Sequence, residues 1–183
     1  MPDARTSTDG HLQLAEGIRL SVATLKTPIG LLEVGATADR ILYIDLHGAS
    51  KAGAAGRSLR GHLLSRRRTP ALRDALTELR EYFAGRREGF DVRVAPAGTE
   101  FQQRVWRAIV AIPFGETRSY GAIAVELGGL HLARAVGAAV GANPIPIIIP
   151  CHRVIGADGS MTGYAGGLRM KIWLLRHEGA LLA

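Results

Sequence analysis

The sequence predicts an α/β N-terminal unit followed by a mainly helical unit that contains a helix-turn-helix. Three observations predict this. Arg19 to Leu25, Leu31 to Gly35 and Ile41 to Leu46 are short β-type runs, separated by Thr27-Pro28-Ile29-Gly30 and Thr37-Ala38-Asp39-Arg40, the pattern of an antiparallel meander. Beyond Gly98 the apolar residues recur at helical spacing. Gly128-Gly129 then separates two short helix-compatible stretches, the outline of a helix-turn-helix.

Taken in order, residues 1–17 read as a polar, flexible extension, residues 18–98 as the α/β domain and residues 99–183 as the helical domain. From Leu46 through Arg73 there are seven lysines and arginines and no acidic residue, Arg66, Arg67 and Arg68 among them. A solvated loop is the first reading of that stretch and a DNA-backbone patch the alternative. Pro70 to Phe83 reads as a helix with Pro70 near its start and Leu72, Leu76, Leu79 and Phe83 on one face. Phe90 to Val94 alternates and predicts a further strand of the first sheet, and Ala95 to Gly98 reads as a linker. Thr99 to Gln102 has the form of a capping box. Phe101, Val105, Ala108, Ile109 and Ile112 give the helix behind it an apolar face, and Trp106 reads as packing. Pro113-Phe114-Gly115 stops that helix. Ser119 can cap a second, Tyr120 to Leu127, and Leu132 to Ala142 holds a third, short and built mostly of Ala, Gly and Val.

The chain has 183 residues, 47% of them hydrophobic and 21% charged, the composition of an ordinary globular protein. No apolar run reaches the ~18 residues of a membrane span. Met1 to Gly17 has no apolar core of a signal peptide. One cysteine excludes an intrachain disulfide and a multi-cysteine zinc site, and it points to a reducing, cytoplasmic setting. The six histidines are scattered without i, i+4 ligand spacing, so neither a catalytic metal nor a cofactor is expected. The net charge of +7 favours an anionic partner, of which nucleic acid is the commonest.

Asn143 to Gly156 reads Asn-Pro-Ile-Pro-Ile-Ile-Ile-Pro-Cys-His-Arg-Val-Ile-Gly. Pro144, Pro146 and Pro150 fix φ and remove donors, which excludes a helix, and Ile147 to Ile149 suit a buried extended segment. The expectation is a stiff arm that delivers the only cysteine, Cys151, together with His152. A thiol reacts as thiolate, and His152 or Arg153 nearby can lower its pKa. A lone cysteine is also often a small buried hydrophobe, but core filling needs no proline frame.

Pro150-Cys151-His152-Arg153-Val154-Ile155-Gly156 resembles the active-site signature of the O6-alkylguanine-DNA alkyltransferases. The flanks agree: Ala133-Arg134-Ala135-Val136-Gly137, Asn143-Pro144, Gly163-Tyr164, Gly166-Gly167-Leu168, Trp173-Leu174-Leu175 and His177-Glu178-Gly179. The likeness is dense from about Thr99 to Gly179 and thin before it. It implies a ribonuclease H-like N-terminal domain and a winged-helix-like C-terminal one. It also implies direct-reversal repair, in which the alkyl group of O6-alkylguanine, and of O4-alkylthymine, passes irreversibly to Cys151, one turnover per molecule.

The resemblance assigns roles residue by residue. Cys151 is the nucleophile, His152 the base acting through a water, Glu178 its carboxylate partner, Asn143 the residue that orders the thiol loop, and Tyr120 the donor to the departing guanine. Arg134 enters the base stack from a helix in the minor groove while the nucleotide is flipped out, with Ser119, Ala133, Ala135 and Gly137 beside the DNA. Pro146, Val154, Gly163, Tyr164, Ala165 and Gly166 form the substrate pocket, and the protein is a monomer in solution that acts on double-stranded DNA, with cooperation between molecules along the duplex left open. Spacing alone leaves blander readings open: an exposed helix-end glutamate for Glu178, an Asn-Pro turn for Asn143, and a tight helix-helix contact for the small residues around Arg134. Ala165 replaces a serine found in some relatives, Gly129-Leu130-His131-Leu132 departs from the usual turn, and Val140 is apolar for a groove-facing site. The alternatives are a non-catalytic, lesion-sensing helix-turn-helix protein and a cysteine hydrolase. The first is disfavoured by the presence of Cys151, and the second leaves Arg134 unexplained.

Overall fold

The computed structural model describes residues 5–6, 12–13, 20–46, 64–65 and 68–181, with side chains described for 20–46 and 68–181. Most of the 1–17 extension, and Arg66 and Arg67 of the basic stretch, lie outside the described residues.

The main sheet contains β3 (Leu20–Thr27), β4 (Gly30–Ala36), β5 (Ile41–Leu46) and β6 (Leu64–Ser65) in the order β5-β4-β3-β6. Two short strands precede it, β1 (Arg5–Thr6) and β2 (Leu12–Gln13), paired antiparallel with each other. The meander expected from the turn signals forms, with β3 antiparallel to β4 and β4 antiparallel to β5, and β6 adds a parallel edge to β3. Gly35 passes so close under the Tyr43 ring that a Cβ there would overlap it, which explains a glycine inside a strand.

Helix α1 (Pro70–Phe83) packs across β3, β4 and β5. Thr69 caps it by accepting from Leu72 N, and Pro70 occupies the first turn, where no amide donor is needed. Leu72, Leu76 and Leu79 are buried as their spacing predicts. The deepest aromatic on the helix is Tyr82, 0% exposed, rather than the half-buried Phe83.

The strand expected over Phe90–Val94 does not form. The Glu78 carboxylate accepts the amides of Asp91 and Val92, so only Val94 reaches the sheet, as an isolated parallel bridge to Ile41. A side-chain acceptor has replaced a strand partner.

Helix α2 (Glu100–Val110) carries the full capping box between Thr99 and Gln102. Trp106 is 2% exposed and donates from Nε1 to the Ala139 carbonyl at 2.9 Å, so it is packing, as expected. Strand β7 (Arg118–Ser119) leads into α3 (Tyr120–Leu127), capped by Ser119 Oγ. Gly128 and Gly129, at φ 138° and 142°, reverse the chain into a single 3₁₀ turn at Leu130–Leu132. Helix α4 (Ala133–Gly141) follows, and α2, α3 and α4 pack together as the helix-turn-helix. Strand β8 (Val154–Ile155) pairs with β7, and α5 (Leu168–His177) closes the chain.

Among the contacts that tie the sheet half to the helical half, two bear on the site. Ile44 on the edge strand β5 donates its amide to the Pro144 carbonyl at 2.9 Å. Tyr82 of α1 donates to Glu178 at 2.6 Å.

Candidate active site

The segment that holds the cysteine is buried from Asn143 to Val154. It is not the extended arm predicted for it. The Ile149 amide bonds to the Ile145 carbonyl at 2.9 Å, Pro146 bridges Ile149, and Ile147 sits at φ 78°. A β-branched residue with positive φ is a genuine backbone outlier, costing on the order of 1–3 kcal/mol. Asn143 supplies much of the compensation: its Nδ2 donates to the Ile149 carbonyl at 2.8 Å and its Oδ1 accepts the Ile145 amide at 3.0 Å. The loop ends in a 3₁₀ turn, Cys151–Arg153. The prolines exclude an α-helix but leave room for this one turn after Pro150.

Glu178, the residue that ends α5, is 5% exposed, against the exposed position that spacing alone suggests. Lys171, Leu174, Leu175 and Glu178 follow at i, i+3, i+4 and i+7 and form the buried face of that helix. Oε1 of Glu178 lies 2.8 Å from His152 Nε2 and accepts from Tyr82 Oη at 2.6 Å and from Arg153 Nη2 at 3.0 Å, while Oε2 accepts from Arg153 Nε at 2.7 Å. Burial alone would raise this carboxyl's pKa, but the hydrogen bonds from His152 and Arg153 hold it at about 2. An ionised carboxylate only accepts, so Nε2 of His152 carries the proton and Nδ1 is the free lone pair. Nδ1 has no protein partner. Burial depresses the imidazole's pKa despite the carboxylate beside it, so His152 is a neutral base.

Burial pushes the Cys151 thiol up to about 11, against hydrogen bonding from Asn143 and the charge of Lys171. The expectation that Arg153 activates the thiol is therefore corrected: its guanidinium is committed to Glu178 and to the Ile112 carbonyl at 2.6 Å. Lys171 is the cation that acts on the sulfur. It is 0% exposed and donates from Nζ to the carbonyls of Val154 at 2.6 Å and Thr162 at 2.9 Å. Its own pKa falls to about 8 through burial.

Cys151 opens onto a pocket of about 680 Å³, within the ~300–1,000 Å³ of small-molecule sites. One side is α4, through Arg134, Gly137, Val140 and Gly141; the other is Thr162, Gly163, Tyr164 and Ala165, with Tyr120 between them. Tyr120 Oη donates to the Thr162 carbonyl at 3.3 Å, and the Tyr164 hydroxyl is buried without a protein partner. Arg134 and Ala135 are exposed on the outer face of α4.

Sequence models of two domains of one family match the chain: the DNA-binding domain of 6-O-methylguanine DNA methyltransferase over residues 100–180 and its ribonuclease-like domain over 20–96. The methylated-DNA–protein-cysteine methyltransferase of Methanosarcina acetivorans is 56% identical over 108 residues, 59% of this chain and 69% of that protein. The chain belongs to the O6-methylguanine DNA methyltransferase family. The Salmonella typhimurium protein of the same description is 57% identical over 106 residues, 57% of this chain and 62% of its own length. A Mycobacterium tuberculosis O6-methylguanine methyltransferase structure superposes with a TM-score of 0.76 at 41% identity, covering 88% of this chain and 93% of its own. The Mycobacterium tuberculosis OGT solved in complex with DNA gives 0.76 at 40% identity, over 89% and 94%.

For a methyltransferase of this family, the structure brings Cys151, Tyr120, Arg134, Gly137, Gly163, Tyr164 and Ala165 to one pocket and places His152, Asn143 and Glu178 directly behind it. Pro146, Val154 and Gly166 do not line it. Pro146 and Val154 are buried in the thiol loop, and a Cβ on Gly166 would press on Met170 and Leu46. Val140, apolar for a groove, is a pocket wall and 5% exposed. Ser119 caps α3, and Ala133 and Ala135 lie on α4 outside the pocket lining. Sequence reasoning missed Lys171 and Tyr82. The i, i+3, i+4, i+7 spacing from Lys171 to Glu178 was a usable signal for the first, and no local signal marks the second. Among the described residues no helix is long and apolar enough to cross a membrane, and no three metal-ligating side chains come together.

Proposed function

We propose that this protein repairs O6-alkylguanine, and O4-alkylthymine, in double-stranded DNA by transferring the alkyl group to Cys151. The observation that supports this most is a thiol facing the Arg134 pocket while its neighbour His152, neutral and backed by Glu178, keeps Nδ1 free. A thiol with a pKa of about 11 is protonated at neutral pH, so it needs that base at the moment of attack. His152 takes the proton through a bridging water. The sulfur attacks the alkyl carbon in line, the S–C bond forms, and the C–O6 bond breaks with its electron pair leaving on guanine. Tyr120 donates to the purine as that charge develops, and the proton taken from sulfur is restored to the base. Lys171 favours the thiolate electrostatically. A thioether is not a leaving group under these conditions, so each molecule acts once.

The target atom is out of reach inside a duplex, so the nucleotide flips into the pocket at a cost on the order of a few kcal/mol. Helix α4 enters the minor groove, where Gly137 and Ala135 allow close approach, and the planar guanidinium of Arg134 fills the vacated stack. Ser119 and Ala133 flank the groove-facing surface. We place the protein in the reducing cytoplasm as a monomer, with residues 18–98 as one domain and 99–183 as the other.

Duplex DNA carrying O6-methylguanine in excess over protein tests the reading. Lesion loss should stop at one per protein molecule. Continued turnover would mean a hydrolase, and tight lesion binding without loss would mean a sensor.

A further inference from the structure

We infer that Tyr82 is a positioning residue for alkyl transfer, a phenol from the sheet half that fixes the Glu178 carboxylate and thereby sets the proton affinity of His152. The inference rests on the proposed roles of Cys151, His152 and Glu178. Tyr82 donates at 2.6 Å to Oε1 of Glu178, the same oxygen that receives His152 Nε2 at 2.8 Å. Arg153 Nη2 also reaches this oxygen, at 3.0 Å; donors on one oxygen compete for its charge, so the phenol bond weakens the pull of the carboxylate on the imidazole proton.

Packing does not explain the hydroxyl. The Tyr82 ring already lies among aromatic neighbours, with centroids at 5.3 Å from Phe83, 5.4 Å from Phe90, 6.4 Å from Phe114 and 5.1 Å from His177. A phenylalanine would fill the same volume. Arg153 already neutralises Glu178 with a two-point contact, so the carboxylate does not require the phenol for charge balance. Burial and the facing carboxylate hold the Tyr82 proton in place, leaving it a donor throughout.

The grip on Tyr82 is double. His177 Nε2 donates to the Tyr82 carbonyl at 2.7 Å, and the next residue, Glu178, takes the hydroxyl. Consecutive residues at the end of α5 thus hold one residue of α1 at both its backbone and its tip. The charged and titratable groups facing this cluster are Arg153 and Lys171, which depress the imidazole's proton affinity, His177 against the Tyr82 ring, and Tyr164, which feels the charges of Cys151 and Glu178.

Removing the hydroxyl concentrates the carboxylate's charge on His152, so the imidazolium becomes more favourable. In Tyr82→Phe, the imidazole titration of His152 followed by NMR should move to higher pH. The acid limb of single-turnover methyl transfer should move with it, by about half a pH unit or more. Site-specific 3,5-difluorotyrosine at position 82 keeps the ring and strengthens the donor, so both should move to lower pH. This second variant decides the matter if the first folds poorly. A lower melting temperature with neither shift would reduce Tyr82 to packing and overturn the inference. Glu178→Gln, measured alongside, separates the two levels. If it transfers at the wild-type rate, the proposed relay itself fails. If it is impaired while both Tyr82 variants keep the wild-type profile, only the role of Tyr82 is lost.

Discussion

The two walls of the pocket are held in different ways. The thiol wall, Asn143 to Val154, is buried throughout. It is fixed by the paired bonds of Asn143, by internal turns, and by the Ile44–Pro144 bond from the sheet. The facing wall has Thr162 and Gly163 exposed and Tyr164 and Ala165 half-buried. It is gathered mainly at one carbonyl, that of Thr162, which accepts from Tyr120 and Lys171. Attack in line needs the nucleophile placed to a fraction of an ångström, while a purine with alkyl groups of different sizes needs room that can give. The rigid wall carries the reactive atoms and the looser wall meets the variable part of the substrate.

The largest expected effect comes from the thiol wall. Glu178→Gln leaves Arg153 buried against a neutral partner and His152 without its carboxylate. Methyl transfer should fall ~10²–10⁴-fold, with a loss of about 3–5 kcal/mol in stability measured by denaturant unfolding. Asn143→Ala removes both bonds that compensate the Ile147 turn. It should cost about 1–3 kcal/mol and slow transfer, with DNA affinity in a binding titration unchanged. An equal loss from a substitution at Thr162 would erase the distinction between the walls.

Acid should act on the same wall. His152 has a folded pKa below its ordinary 6.5, so the stability it contributes as a neutral group is lost as pH falls below that value. Glu178, at about 2 against an ordinary 4.5, contributes stability that is present above 4.5 and lost as pH falls toward 2. The melting temperature should therefore drop on acidification in two stages, one as pH falls below 6.5 and one as it falls below 4.5. The smallest effect belongs to the facing wall: Ala165→Ser adds one hydroxyl to a half-buried site and should change the transfer rate by a few-fold at most. Comparing methyl with benzyl substrates would sharpen this.

Local patterns carried the outline of the fold. The β3–β5 meander, the helix begun at Pro70, the Ser119 cap, the capping box at Thr99 and the glycine turn at Gly128 depend on neighbouring residues, and each forms. What stayed hidden depends on distant partners. Ile147 to Ile149 has strand propensity, yet bonds from Asn143 bend it into a turn, because tertiary contacts override a weak local preference. Phe90 to Val94 alternates like a strand, but Glu78 took its donors. In the site, Cys151, His152 and Arg153 were legible as a cluster, but their division of labour was not. Arg153 serves Glu178 instead of the thiol, and Lys171, charged and therefore expected outside, lies beneath Tyr120 with Nζ 6.0 Å from the ring centroid. Tyr82 reaches Glu178 across the domain junction, which no short window of sequence can encode.

The central claim is that Cys151 ends each reaction carrying the alkyl group. Intact mass of the full chain after mixing with duplex DNA containing O6-methylguanine, followed by peptide mapping, tests it most directly. A gain of one methyl group per molecule, located on Cys151, is expected, with a matching loss of lesion. Lesion loss with an unmodified Cys151, or a methyl group on any other residue, would contradict it.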